Sequence, residues 1–325
     1  MQDVSILLEA LPFLRTYKNK VFVVKLGGEV IQDADHLYSI ASDVALMNSV
    51  GVRILIVHGG GPQANELSER LGVKPVFVAG RRVTDAATLE ITKMVFAGTI
   101  NTEIISALRR AGASAVGLSG VDAHLVSATR RPVKKVRDPE TGEESEVDFG
   151  HVGDIRAVDA TLLRILLDHG YVPVLSSLGA DEDGHVYNIN ADTVAAELAT
   201  ALAADKLLVM TNVPGVLKSL ASGELIPSLT TTEARALMAS GGVTKGMLPK
   251  LTGAVAAVEK GVRQATILSG LAPHSLLEET FTDRGSGTLI IQPGTPPTVP
   301  PQPKAHAHKQ RKKGKRRQAK KGRRR

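Results

Sequence analysis

Cysteine and tryptophan are absent from the 325 residues, and aromatic side chains account for only 3% of them. Without cysteine there is no disulfide framework, thiolate nucleophile, Cys-ligated zinc, haem attachment or iron–sulfur site, so any metal would be held by oxygen or imidazole. No apolar run approaches the ~18 residues of a membrane-spanning helix, and Asp3 and Glu9 stand where a secretory leader carries positive charge. The expectation is a soluble, cytoplasmic protein without membrane contact. Neither GxGxxG nor GxxxxGK followed by Ser or Thr occurs, so a dinucleotide fold and a P-loop lose support; HExxH and GxSxG are missing too. The histidines show no metal-ligand spacing beyond His306 and His308 near the chain end, and no metal ligand is assigned.

Acid is lacking from one region. Residues 301–325 hold 13 of the 40 Lys and Arg and no Asp or Glu, which leaves 27 basic against 33 acidic residues in 1–300, about −6. The overall +7 is therefore a property of the tail. The stretch 292–303, QPGTPPTVPPQP, is too rich in proline to pack and reads as an extended linker. The residues after it offer almost nothing apolar to offset chain entropy, so 293–325 is expected to be a linker and a disordered polybasic tail. Three roles compete for it: a solvated appendage, non-specific attachment to polyanions such as nucleic acid, and a partner contact. It has no aromatic residue for base stacking, so sequence-specific recognition is not expected.

What is present is alternation. Strands are predicted at 21–26, 53–58, 115–119, 172–176, 206–210, 265–269 and 288–291, and helices at 34–50, 62–71, 85–111, 158–169, 191–203, 232–239, 246–261 and 274–279. The fold class is α/β, a three-layer αβα sandwich with a mainly parallel central sheet. Residues 74–83 have β character, and 125–149 reads as a hairpin with a polar turn at 138–142, both suited to covering a substrate. Val4, Leu7, Leu8 and Leu11 share a helical face that Pro12 should kink or end. That helix either packs on its own core or contacts another chain.

Glycine gathers where strands end. Lys25-Leu26-Gly27-Gly28 closes the first strand, and His58-Gly59-Gly60-Gly61 closes the second just before a helix. Both loops lie outside the carboxyl ends of strands, where open α/β sheets bind ligands. They read as a phosphate cradle or as ordinary tight turns. Lys25 ends an apolar strand, so its ammonium must reach the sheet edge or meet an anion. In Asn188-Ile189-Asn190-Ala191-Asp192, Asn190 is a candidate N-cap and Asp192 suits the helix dipole. Lys250 falls in a first helical turn, against the dipole, which hints at another task. Arg81-Arg82 reads equally as a carboxylate site or a solvated pair, with Asp85 a cap for the helix after it.

Together, VVKLGGE, IVHGGGPQ, GRRVTD, GHVGDI, PVLSSLG, NINAD, TNVPGV and GGVTKGMLPK resemble the acetylglutamate kinases of the amino acid kinase family, collinearly over about 21–291. The resemblance implies that family's fold and transfer of the ATP γ-phosphoryl to the side-chain carboxylate of N-acetyl-L-glutamate, with Mg²⁺ carried on ATP, in arginine biosynthesis. It implies catalytic roles for Lys25, Lys250 and Asp192, and substrate binding by Gly60, Gly61, Arg82 and Asn188. Gly27, Gly28 and Gly59 would bind the ATP phosphates, and Thr211, Asn212, Gly215 and Gly246 the nucleotide. It divides the chain into an N-terminal helix (1–19), a lobe for acetylglutamate binding and dimerisation (20–180), an ATP lobe (181–292) and the tail (293–325). The first helix and the segment His274 to Thr288 resemble the arginine-inhibited, hexameric branch. This implies a homodimer or homohexamer joined through that helix and arginine as an inhibitor, with His274, Glu279 and Gly287 as effector residues. Leu268-Ser269-Gly270-Leu271 departs from that branch, whose members often carry an acidic residue and an arginine there. The tail lies outside the family pattern, and the resemblance does not choose among its three roles, binding to polyanions included.

Overall fold

Strands with apolar residues on both faces must be covered on both faces. The computed structural model, which describes residues 2–78, 81–137, 144–219, 223–244, 246–283 and 285–296, obeys that demand with an eight-stranded sheet. Its order is Ser228–Thr230, Thr288–Ile291, Gln264–Ser269, Lys206–Thr211, Val21–Leu26, Arg53–His58, Val172–Ser176, Ala115–Ser119. Neighbours run parallel except Gln264–Ser269 with Thr288–Ile291. Phe22, Val24, Ile54 and Ile56 face one buried layer with the helices Ala34–Ser49, Asn101–Arg110 and Ser275–Phe281. Val23, Leu55 and Val57 face the other, with Thr161–Asp168, Ala191–Ala201 and Leu248–Glu259. Each fully buried Val, Leu or Ile contributes about 1.5–3 kcal/mol over leaving it exposed. At Val21–Leu26 the sheet grows toward Arg53–His58 on one side and Lys206–Thr211 on the other, so a crevice opens at their carboxyl ends.

All seven predicted strands are present, and the β character at 74–83 resolves into the hairpin Val76–Val78 with Arg81–Val83. The other predicted hairpin is corrected. Val126–Arg130 pairs with Gly153–Val158 in a second, four-stranded sheet with Leu178–Ala180 and Val186–Asn188. Only Lys134–Arg137 and Glu144–Val147 form a local hairpin, whose turn at 138–142 lies outside the described residues, as does the tail beyond 296. The strand through Val158 also delays the helix predicted from 158, which begins at Thr161. The helix predicted over 85–111 is one continuous run, capped by Asp85 accepting from Thr88 N, but Met94–Ile100 within it is π-helical. Pro12 does not end the first helix, which runs from Gln2 to Tyr17. Its last turns bury Phe13 and Tyr17, the Tyr17 ring meeting Phe22 edge-on at 5.2 Å.

Candidate active site

Lys25 is aligned with Val209 and Val57 of the flanking strands, one residue before the strand end. Strand alternation turns its side chain to the same face as Val23, toward the helix Ala191–Ala201. Asn190 caps that helix, accepting from Thr193 N at 3.0 Å, and this leaves Asp192 in the first turn free to face the strand. Lys25 Nζ lies 2.7 Å from Asp192 Oδ1 and Lys250 Nζ 3.8 Å from Oδ2. The third member arrives because its helix crosses the other at a glycine: a Cβ on Gly253 would stand 3.2 Å from the Asp192 carbonyl oxygen. A bulkier residue would lift Lys250, one turn earlier, away from the carboxylate.

The Lys25 and Asp192 side chains are only 6% and 7% exposed, and Lys250 18%. Burial alone raises the Asp192 pKa, but the charges of Lys25 and Lys250 and the Lys25 hydrogen bond outweigh it, holding the group below the ordinary carboxylate value. Burial pushes the Lys250 ammonium down, with Asp192 opposing and Lys25 reinforcing that shift. Asp192 is the one carboxylate in contact with both ammonium groups, with Glu29 acting on Lys250 from farther off, so within contact distance positive charge is in excess in a desolvated place, which a bound anion balances.

The two glycine loops pack against each other beside this cluster. A Cβ on Gly28 would fall 2.5 Å from Pro62 Cδ, and Gln63 Nε2 donates to Gly28 O at 2.8 Å. Gly60 has no room either, because Ile100 Cδ1 would be 2.1 Å away, whereas Gly61 meets nothing within 4 Å. Gly59 approaches Ala191 of the Asp192 helix, at 3.4 Å from its Cβ. Gly27 caps the short helix Gly28–Ile31, an element too brief to show a period in the sequence. The glycines thus serve protein packing as well as an open backbone.

Arg82 reaches the second loop. Its Nη2 donates to Gly61 O at 2.9 Å and to Asn65 Oδ1 at 2.5 Å, its Cζ sits 5.2 Å from the Phe77 ring centre, and its Nη1 is buried without a partner. Burial lowers its pKa. Arg81 is exposed, so the Arg pair divides into one inward and one outward residue. Asn188 Nδ2 donates to Thr84 Oγ1 at 3.2 Å, and Thr84 O accepts from His151 N, whose carbonyl accepts from Asn188 N. Arg82 and Asn188 thus belong to two separate sets of hydrogen bonds, brought near each other along the chain by Arg82 and Thr84. Asn65, Thr84 and the buried Ser177 hydroxyl, near Gly59, were not singled out in the sequence; only their places beside GGG, RVT and SSLG could have signalled them.

The residues expected to hold the nucleotide cluster less tightly. Thr211 ends the strand beside Leu26's, Thr211 Oγ1 donates to Asn212 Oδ1 at 3.3 Å, and Thr211 O accepts from Gly270 N. Gly215 is required by packing, since a Cβ would lie 2.6 Å from Thr288 Oγ1; Gly246 meets nothing within 4 Å. Among the expected effector residues, His274 Nδ1 stands 2.7 Å from buried Asp43, while Glu279 accepts from Thr266 Oγ1 and Ser286 N, both at 2.9 Å. Gly287 presses on the Ile267 carbonyl, 2.4 Å from its would-be Cβ. Lys206, missed in the sequence, is buried with Nζ 4.7 Å from the Tyr17 ring centre, and burial outweighs the pull of Glu279 to lower its pKa to about 8.

A parallel sheet whose carboxyl end presents paired ammonium groups and packed glycine loops defines a phosphotransferase, and the chain belongs to the amino acid kinase family, whose sequence model matches residues 20–269. Within it, the chain is homologous to acetylglutamate kinases. That of Methanocaldococcus jannaschii is 44% identical over 293 residues, covering 90% of this chain and 97% of the relative. That of Sinorhizobium medicae is 44% identical over 286 residues, covering 88% and 96%. Among solved structures, N-acetylglutamate synthase from Neisseria gonorrhoeae with coenzyme A and N-acetyl-glutamate superposes with a TM-score of 0.75 at 28% identity, over 90% of this chain and 64% of the synthase. The same synthase with coenzyme A and L-arginine gives 0.74 at 27%, over 89% and 65%. Giardia carbamate kinase shares the fold, with a TM-score of 0.58 at 18% identity over 84% and 99%. Among the described residues no helix is long and apolar enough to cross a membrane.

Proposed function

We propose that Lys25 and Lys250, held by Asp192, carry the activity of this chain as an acetylglutamate kinase, which transfers the γ-phosphoryl of ATP to the side-chain carboxylate of N-acetyl-L-glutamate in arginine biosynthesis. The observation that carries the reading is the pair of ammonium groups sharing one buried carboxylate. A carboxylate oxygen attacks the γ-phosphorus, the bond to the bridging oxygen breaks, and acyl phosphate and ADP result. The nucleophile is already ionised near neutral pH, so no general base is needed. Positioning and electrostatics do the rest.

Lys25 and Lys250 neutralise charge on the migrating phosphoryl, and Asp192 fixes where their charges sit. Gly27, Gly28 and Gly59 offer backbone N–H groups to the ATP phosphates. The unpartnered Nη1 of Arg82 is suited to the substrate α-carboxylate, with Asn188, Gly60 and Gly61 beside it. The acetylated amino acid lies on the 20–180 lobe and the nucleotide on 181–292, near Thr211, Asn212, Gly215 and Gly246. Both oxygens of Asp192 face lysines, so the donor set suits Mg²⁺ carried by the nucleotide phosphates, where it would screen their charge.

His274, Glu279 and Gly287 would bind arginine as an inhibitor; the similar synthase has been solved in complex with L-arginine. The first helix would join protomers into a dimer or hexamer, in the cytoplasm. The tail, 293–325, with its lysines and arginines unopposed by acid, would attach to polyanions. A hydroxamate trap for acyl phosphate tests the activity, using purified protein, ATP, Mg²⁺ and a panel of acetylated and free amino acids, with and without arginine. Product with N-acetyl-L-glutamate is expected; product only with aminoadipate derivatives would overturn the assignment. Removing 293–325 should leave that rate intact and abolish salt-sensitive binding to a polyanion.

A further inference from the structure

The residue before the triple glycine is a polar group with no exposure beside the site. His58 ends the strand Arg53–His58, aligned with Leu26 on one side and Ser176 on the other, and is fully buried. Its Nδ1 lies 2.9 Å from the Gly59 carbonyl oxygen and its Nε2 3.1 Å from Nδ2 of Asn101. The Asn101 amide cannot be reversed, because Nδ2 also donates to the Val174 carbonyl at 2.9 Å and reversal would set Oδ1 against that acceptor. Nε2 therefore accepts, the proton resides on Nδ1, and Nδ1–H donates to Gly59. Burial keeps the ring neutral, pushing its pKa down to about 4. A neutral ring with both nitrogens engaged inside the protein is no acid or base for the reaction.

What it can do is orient a peptide. Gly59 and Gly60 share a planar trans peptide, so the carbonyl of one and the N–H of the other point in opposite directions. With the carbonyl drawn to the buried imidazole, the Gly60 N–H is turned away from it. The helix that carries Asn101 also grips this peptide from a second side, because Ile100 and Phe96 leave no room for a Cβ on Gly60. Both belong to the π-helical segment Met94–Ile100, which ends immediately before Asn101. Such irregular turns cost helix geometry and are common where function needs a side chain re-aimed.

We propose that His58 and Asn101 are positioning residues that hold the Gly59–Gly60 peptide plane for phosphoryl transfer, Asn101 by selecting the imidazole tautomer and His58 by anchoring the Gly59 carbonyl. This rests on the reading of the glycine loop as part of the transfer site. Full-length Asn101→Asp places an acceptor where Nε2 needs a donor, so Nε2 takes the proton and Nδ1 of the ring, kept neutral by burial, can no longer donate to the Gly59 carbonyl. Its kcat should fall on the order of 10–100-fold, with both KM values within about threefold. His58→Asn brings an amide nitrogen close to the place of Nδ1 and should recover most of the kcat lost in His58→Gln, whose amide does not reach it. Nitrogen-resolved NMR of wild type near neutral pH should show His58 neutral and protonated on Nδ1. A wild-type ring protonated on Nε2, unchanged kcat in a folded Asn101→Asp whose ring NMR shows without a proton on Nδ1, or equal losses in His58→Asn and His58→Gln would each overturn the proposal. Wild type that forms no acyl phosphate would instead sink the functional reading, since the ring's tautomer is measured without activity.

Discussion

Lys25 and Lys206 occupy neighbouring strands of one sheet, both almost wholly buried and each within electrostatic reach of a buried carboxylate. They differ in which end of the strand they occupy and in what surrounds the charge. Lys206 begins its strand, aligned with Phe22; its ammonium lies over aromatic rings, and the Glu279 oxygens are taken by Thr266 and Ser286. Lys25 sits near the carboxyl end, touches Asp192 directly and shares it with Lys250 beside two glycine loops. A buried cation is thus not in itself a site. Surplus charge at the open end of a parallel sheet is what calls for an anion.

The sharpest way to break this contrast is to remove each lysine. Lys25→Met and Lys250→Ala should each lower kcat on the order of 100–1,000-fold, the latter with little change in acetylglutamate KM, because the lost charge acts during transfer. Lys206→Met should hold kcat within about threefold; steady-state rates that fall equally at both positions would erase the distinction. Arg82→Ala should raise the acetylglutamate KM by about 10–100-fold while sparing the ATP KM, and a selective effect on ATP would reverse the lobe assignment.

Stability against pH separates the same regions. His58 has a folded pKa of about 4 against an ordinary 6.5, so the unfolded chain binds more protons between those values. Its contribution is full above 6.5 and is lost as pH falls toward 4, by up to about 3 kcal/mol. Lys206 titrates near 8 when folded against an ordinary 10.5, so stability should rise by a similar amount as pH climbs through that window. Urea unfolding of wild type and Lys206→Met at both ends of the alkaline window should show that rise only in wild type. Smallest of all is the glycine comparison. Gly60→Ala, driven against Ile100, should cost about 1–3 kcal/mol, whereas Gly61→Ala, with open space around it, should change the thermal midpoint little.

Much of the main sheet was legible because its strands are continuous apolar runs, buried on both faces, and period and length suffice to recognise them. The second sheet carried no such signal. Leu178–Ala180 and Val186–Asn188 are three residues each, and Val126–Arg130, the other neighbour of Leu178–Ala180, pairs with the distant Gly153–Val158 rather than the nearer strand beyond the turn. Local pattern cannot choose between two acceptable antiparallel partners. The π-helical segment was equally hidden, because no residue type in Met94–Ile100 marks it within an otherwise continuous helical pattern. At the site, Lys25 and Lys250 stood out as charges in costly places, while Asp192 was indistinguishable from a residue that complements a helix dipole.

From the amino acids alone came the alternation that builds a covered parallel sheet, the glycines at its carboxyl edge, Lys25 as a charge ending an apolar strand and Lys250 as a charge set against a helix dipole. Tertiary structure decided which charges share a carboxylate, which arginine turns inward and why His58 is neutral. Periodicity and burial cost act over a few neighbouring residues and are written locally, whereas a coupling across 58 positions between Asp192 and Lys250 exists only once Gly253 lets two helices touch.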